Sequence, residues 1–305
     1  MDSAVPNVGR KSSDGFILVA VLWILGGLAV LAAIYALYVV NAATSLDVNN
    51  DRIQANASVS AALELTAYYL GAVKPEERPT SGTFNFRVGT SNVAVNFLSE
   101  AARIDLNSAQ RPLLEGLFRV LGASSDAANN YADRVIGWRT SAASANPDAV
   151  QGIDNETTAY RNAGMTYNPR LAPFVHVQEL WLVLGLPPTL IERAMPFVTV
   201  FSGMGTVNVM DAAPEVVAAL PGMTPDRLDA VLKQRSALKQ DARLLPQMLG
   251  PAQASATLQG SKATRVMVRV DLAKGRRIHA EAVILLLDDA PDPYRVLSWT
   301  DDFDG

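Results

Sequence analysis

Positions 16–40 read FILVAVLWILGGLAVLAAIYALYVV, twenty-five residues without a charged or strongly polar side chain. As a helix rising 1.5 Å per residue the run extends roughly 37 Å, longer than a bilayer's hydrocarbon core of ~30 Å. A helix buried in a globular core seldom stays apolar on every face over such a length. The run is also too long for the apolar part of a secretory signal, and no A-x-A cleavage pattern follows it. The reading is a retained membrane anchor. Arg10 and Lys11 precede it, and the first basic residue after it is Arg52. The excess of Lys and Arg on one side places the N-terminus in the cytoplasm and residues 41–305 across the membrane. In a Gram-negative cell that is an inner-membrane protein with a periplasmic domain.

Composition bounds the rest. Apolar residues make up 49% of the 305 positions and charged residues 18%, the balance of a chain with a real core. Net charge is −4, which argues against non-specific DNA or RNA binding. Cysteine is absent, so disulfides, thiolate metal sites and a Cys nucleophile are excluded. The only histidines are His176 and His279, read as a packed or surface residue and an exposed strand residue. No nucleophile elbow, HExxH or P-loop is present, and the chain is read as a non-enzyme.

Beyond the anchor, Ile53, Ala57, Ala61, Leu65 and Tyr68 recur at helical spacing, and residues 41–73 contain no proline. KPEERPTSG at 74–82 then stops the helix. Phe84, Phe86 and Val88 alternate with polar residues, as do Val93, Val95 and Phe97, and the turn-rich Gly89–Asn92 joins them into a hairpin. Strand patterns return only at Arg265–Val270, Ile278–Leu287 and Tyr294–Trp299. The block at 104–250 carries helical spacing, seen in Leu113, Leu114, Leu117, Phe118 and Leu121 and again in Val216, Val217, Leu220, Leu228 and Val231. The fold class is α+β: an antiparallel sheet interrupted by a large inserted helical domain. Segment 140–169 is polar and reads as a long loop, and such loops are often functional. An extended lead-in, a helix, a Gly-containing turn and a second helix occur at 103–139 and again at 206–235. A partial copy at 177–188 completes the echo. Leu220-Pro221-Gly222-Met223 is close to a helix-hairpin-helix turn.

The junction before the anchor adds a resemblance. A polar leader ends in Gly15 and Phe16 opens the apolar run. This resembles the type IV prepilin signal, which implies cleavage after Gly15 by a prepilin peptidase and an N-methylated Phe16. Asp14 departs from the basic residues more usual there. RIDLN at 103–107, ADRVIGWR at 132–139, PFVTV at 196–200, VNVMDAAPEVVAALPGM at 207–223 and YRVLSW at 294–299 follow in order. Together they resemble the type II secretion system protein K family, the large minor pseudopilins.

That resemblance implies a pilin-like sheet with an inserted helix-hairpin-helix (SAM-like) domain. The divisions are a leader at 1–15, a membrane helix at 16–40, and stem helix with first strands at 41–103. The inserted all-α domain takes 104–250, and closing strands take 251–305. It implies a place at the pseudopilus tip with minor pseudopilins I, J and H. It also implies that Ala20, fifth after the cut, fits a family that lacks the usual Glu there. Calcium is the implied cofactor, with Asp148, Asp154 and Glu156 as oxygen ligands in the polar loop; Thr140 stands where the family tends to place Asp, and solvated loop acids are the competing reading. The rival function is a membrane-anchored, competence-like DNA-binding protein using the helix-hairpin-helix turn. Its turn, 222–226, carries Asp226 and no base, although Arg227, Lys233, Arg235 and Lys239 follow.

Overall fold

The computed structural model describes residues 14–141, 147–240, 245–273, 275–288 and 290–302. The chain divides into two compact units, one ending at Ala57 and one beginning at Ser58. The first helix, α1 (Asp14–Gly71), supplies the whole described part of the first unit. Within it Phe16–Ala42 forms 27 residues of mean hydropathy 2.8 with none of its surface buried, the one described helix long and apolar enough to cross a membrane. Water does not tolerate that much exposed apolar surface, whereas lipid does.

The second unit is built on a five-stranded antiparallel sheet. Its strands are β1 (Ser81–Val88), β2 (Ser91–Ser99), β7 (Ala263–Asp271), β8 (Arg277–Leu286) and β9 (Tyr294–Asp302), paired in the order β1-β2-β7-β8-β9. The alternation in the sequence becomes the two faces of the sheet. Val93, Val95 and Phe97 share a buried face with Val266, Val268 and Val270 and with Ile278, Ala280 and Ala282. The last turns of α1 bury Val59, Ala62, Leu63, Ala67 and Leu70, and Tyr69 meets Phe97 with ring centroids 6.0 Å apart. Arg78 ends the helix: its Nε donates to Leu70 O (2.9 Å) and Val73 O (3.2 Å), and its Nη2 meets Asp288. Gly89, at φ 56, opens the two-residue β1–β2 turn, a conformation glycine adopts without penalty.

Between β2 and β7 lie β3 (Ile104–Asp105), α2 (Arg111–Val120), α3 (Ser125–Arg139), α4 (Pro147–Asn162) and α5 (Pro188–Ala194). Then come β4 (Val198–Thr199), β5 (Val207–Asn208), α6 (Pro214–Ala218), α7 (Pro225–Gln240), α8 (Leu245–Leu249) and β6 (Ala256–Thr257). The extended lead-ins of the two sequence echoes are strands: β3 pairs with β4 and β5 with β6, both in parallel. One apolar cluster, with Leu113, Leu117, Phe118, Trp138, Tyr160, Ile191 and Val217 among its members, holds these elements together.

The loop reading of 140–169 needs correction. Much of that segment is α4, and its residues 142–146 lie outside the described residues. Its apolar positions are too few to show a helical period, yet Tyr160 is fully buried beside Trp138 and Tyr167. Tyr160 and the Arg134–Glu156 ion pair tie this helix to the rest of the block.

Candidate functional site

The residues that carried the resemblance converge on joints in the second unit. Asp105 is buried, and its carboxylate accepts the amides of Asn107 (2.7 Å), Ser108 (3.0 Å) and Gly203 (2.7 Å). Burial raises its pKa, and those three amides only partly offset the rise. Asn107 clasps the backbone of Phe174 in both directions, donating to its O (3.0 Å) and accepting from its N (2.7 Å). Arg139, at the end of α3, donates to Leu106 O and Ala109 O. Trp138 donates to Glu179 Oε2 (3.1 Å), and Glu179 Oε1 accepts from Val175 N (2.9 Å). Each polar group of RIDLN and of the GWR end of ADRVIGWR named here is engaged within the fold, which makes these motifs architectural.

A second joint, which the sequence reading did not find, ties the helical block to the sheet. Glu100 is 1% exposed; its Oε1 accepts from Arg265 Nε (2.7 Å), and its Oε2 accepts from Arg265 Nη2 (3.1 Å) and from Thr199 Oγ1. Arg265 also reaches Glu281 on β8. Burial lowers the pKa of Arg265, but the two carboxylates outweigh it and the net shift is upward. Arg103 beside them is pulled down by burial and by the charge of Arg265. The one sequence signal was the Arg at 265 that opens the strand pattern at 265–270. Asp211 makes a third joint, accepting from Thr80 Oγ1 and from Ser81 Oγ (2.7 Å).

Of the three acids read as calcium ligands, two, Asp154 and Glu156, have described side chains. Asp154 and Glu156 are two residues apart on α4, about 200° around the helix axis, and so face different ways. Glu156 is committed to Arg134 Nη1 at 2.8 Å, and burial raises its pKa despite that partner. Glu156 Oε1 is buried without a partner. The side chain of Asp148 lies outside the described residues. Among the described residues no group of three acidic or histidine side chains is placed to hold a metal ion. His176 is exposed, and its Nδ1 accepts from Gln178 N (3.2 Å); His279 is an exposed residue of β8.

At the helix-hairpin-helix turn Gly222 has φ +74, and Arg227 Nη1 donates back to Gly222 O (3.2 Å). Arg235 donates to Ala212 O (2.6 Å). Two of the four bases the DNA reading relied on are thus turned onto the protein's own carbonyls. At the other end of the chain Gly15 and Phe16 lie in the first turns of α1, Phe16 is exposed, and leader residues 1–13 lie outside the described residues.

Residues 92–203, which span β2, both joints at Glu100 and Asp105, and the helices to β4, match the family described as type II secretion system (T2SS), protein K. That match to protein K takes in 112 of the 305 residues. Among solved structures, a chain in the crystal structure of the GspK-GspI-GspJ complex from the enterotoxigenic Escherichia coli type 2 secretion system is similar. The match covers 85% of this chain and 98% of that one, with 15% identity and a TM-score of 0.58. At that identity the likeness speaks for the fold: α+β, with an N-terminal apolar helix and an antiparallel sheet. No curated protein matches the chain.

Proposed function

We propose that the chain is a minor pseudopilin of a type II secretion system, anchored in the inner membrane with its second unit in the periplasm. The observation that carries this is the family match across residues 92–203, on a chain whose first helix has a 27-residue lipid-compatible span. The same reading makes 104–250 an inserted helical domain within a pilin-like frame. It assigns structural work and no catalysis. It takes Gly15–Phe16 as the prepilin peptidase site and Phe16 as the mature, methylated N-terminus. The partners are minor pseudopilins: I and J, with which GspK is crystallised in the similar structure, and H.

The charge at the new N-terminus argues for a place in the filament. An amine on Phe16 sits where the hydrocarbon begins, and an unpaired cation there is costly. Pilins place a Glu at the fifth mature position to neutralise a neighbour's amine, and this chain has Ala20. It can offer its amine to a following subunit but cannot neutralise one that precedes it. That suits the first, topmost position.

Two measurements test the reading. Co-expression with a prepilin peptidase should shorten the chain by the leader and leave Phe16 first, as read by intact mass. An unshortened chain, or a cut beyond Val40, refutes the processing. Co-purification with minor pseudopilins, alongside a gel shift with duplex DNA on the same preparation, tests the partners. DNA binding without pseudopilin association would favour the helix-hairpin-helix rival, which has no support among the comparisons.

A further inference from the structure

The two edges of the sheet are built differently. β9 pairs with β8 through a register shift at Val283/Ile284 and carries Arg295, Asp301 and Asp302. A bulge and charges are the devices by which proteins keep an edge from pairing further. β1 has none of these over its eight residues apart from one cation, Arg87, at the end nearest the turn. It pairs with β2 without interruption.

The hydrogen-bond phase of β1 can be read from its first rung. Ser99 N donates to Thr80 O (2.7 Å), so Thr80 and Ser99 form a hydrogen-bonded pair. In an antiparallel ladder such pairs alternate. Gly82, Phe84, Phe86 and Val88 therefore bond to Phe97, Val95, Val93 and Ser91. Ser81, Thr83, Asn85 and Arg87 turn their N–H and C=O outward. Among the described residues no backbone group takes these outward groups.

An apolar groove runs beside this edge on the face where α1 lies. It has a volume of about 400 Å³ and is lined by Leu65, Tyr68, Tyr69, Phe84 and Phe97. Tyr68 is 76% exposed and Tyr69 53%. The Phe97 ring packs directly over Gly82, where a Cβ would stand 2.5 Å from it. A strand laid along β1 would direct alternate side chains into this groove, opposite Gly82 and Phe84. Main-chain bonds with pockets for every second side chain are the elements of strand addition. Arg87 sets the charge of the visitor, since among the described residues no carboxylate pairs with it.

We propose that β1 is a strand-addition site for an extended segment of another protein chain, apolar at alternate positions and carrying a carboxylate opposite Arg87. The inference rests on backbone geometry and stands apart from the secretion reading. The test titrates the full chain in detergent micelles into a labelled eight-residue peptide that alternates valine and threonine and ends in aspartate, read by fluorescence anisotropy. Binding should saturate and weaken about tenfold in Asn85→Pro, because proline there deletes an outward N–H and leaves the bonds to β2. Asn85→Ala should bind like the parent. The same peptide N-methylated at alternate residues should lose binding to the unaltered chain, a comparison that does not depend on how Asn85→Pro folds. Lysine in place of the aspartate should weaken binding several-fold at low salt, and Arg87→Gln should erase that difference. No saturation up to millimolar peptide, or equal binding of plain and N-methylated peptides, overturns the proposal. Self-association of the chain that Asn85→Pro abolishes also overturns it, because the occupant would then be a second copy.

Discussion

Replacing Gly116 with alanine sets two effects of opposite sign against each other. Gly116 lies in α2, and by propensity alone alanine should stabilise a helix interior by about 1 kcal/mol. The structure opposes this. A Cβ at 116 would stand 1.9 Å from the carbonyl oxygen of Ala219 and 2.8 Å from its carbon, just past the end of α6. A backbone carbonyl cannot swing aside like a side chain. α2 and α6 would have to part by about 3.0 − 1.9 = 1.1 Å to reach the closest separation real Cβ atoms show. Opening packed surfaces by ~0.5–1 Å forfeits a quarter to a half of each contact's attraction. The contacts at stake belong to Leu113, Leu117, Phe118, Val216, Val217 and Leu220, all buried. Overpacking of this kind costs ~1–3 kcal/mol. With the carbonyl at 1.9 Å the upper end applies. After the propensity gain, a net loss of about 2 kcal/mol remains. For a unit of this size that lowers Tm by about 4–8 °C. Thermal unfolding followed by far-ultraviolet circular dichroism reads it, with Gly71→Ala, where a Cβ meets nothing within 4 Å, as the control. An unchanged or higher Tm for Gly116→Ala would show that α2 and α6 do not approach as described.

Glu100→Ala strands Arg265 in a buried setting and should cost about 3–5 kcal/mol, measured by urea unfolding of the chain in micelles. The folded-state pKa of Glu156 lies above the ordinary carboxylate value, so the folded chain holds more protons there. That contribution makes stability fall as pH rises from the ordinary value through the raised one. Glu156→Gln should remove this slope from a series of melting curves, and an unchanged slope would refute the assignment. Calcium at millimolar concentration should leave Tm unmoved, because Asp154 and Glu156 face apart; a rise that Asp154→Ala abolishes would contradict the geometry. Gly15→Val should block processing by a prepilin peptidase while Gly15→Ala permits it, read by intact mass.

What the sequence disclosed and what it hid follow from the range of the interactions involved. The β1–β2 hairpin was visible because Phe84, Phe86, Val93, Val95 and Phe97 report a local period of two and the turn carries its own glycine. The anchor was visible because lipid imposes one demand on every position from Phe16 to Val40. The two-residue strands β3 and β5 showed only as extended lead-ins, since Ile104 takes its partner from Val198 and Val207 from Ala256, far along the chain. Helix α4 was hidden because Tyr160 alone is fully buried among its described side chains. The Glu100–Arg265 joint was hidden for the same reason as β3: its partners lie 165 residues apart. The resemblance motifs located a family, yet the atoms of Asp105, Asn107 and Arg139 turned out to hold loops in place.

The meeting of Ser99 and Ser261 bears on how the chain reaches its final state. Their hydroxyl oxygens stand 3.3 Å apart although 162 positions separate them. β2 ends at Ser99 and β7 begins just after Ser261, and the two strands are neighbours in the sheet. In an unfolded chain, closing a loop of that length before any contact rewards it is entropically costly and slow. If the intervening helices collapse first, their two ends arrive already side by side and the closure becomes a short one. The N-terminal hairpin must then wait, with Val93, Val95 and Phe97 bare, until β7 reaches β2. A slow phase in refolding that shortens when the helical block is preformed would be the kinetic trace of that wait.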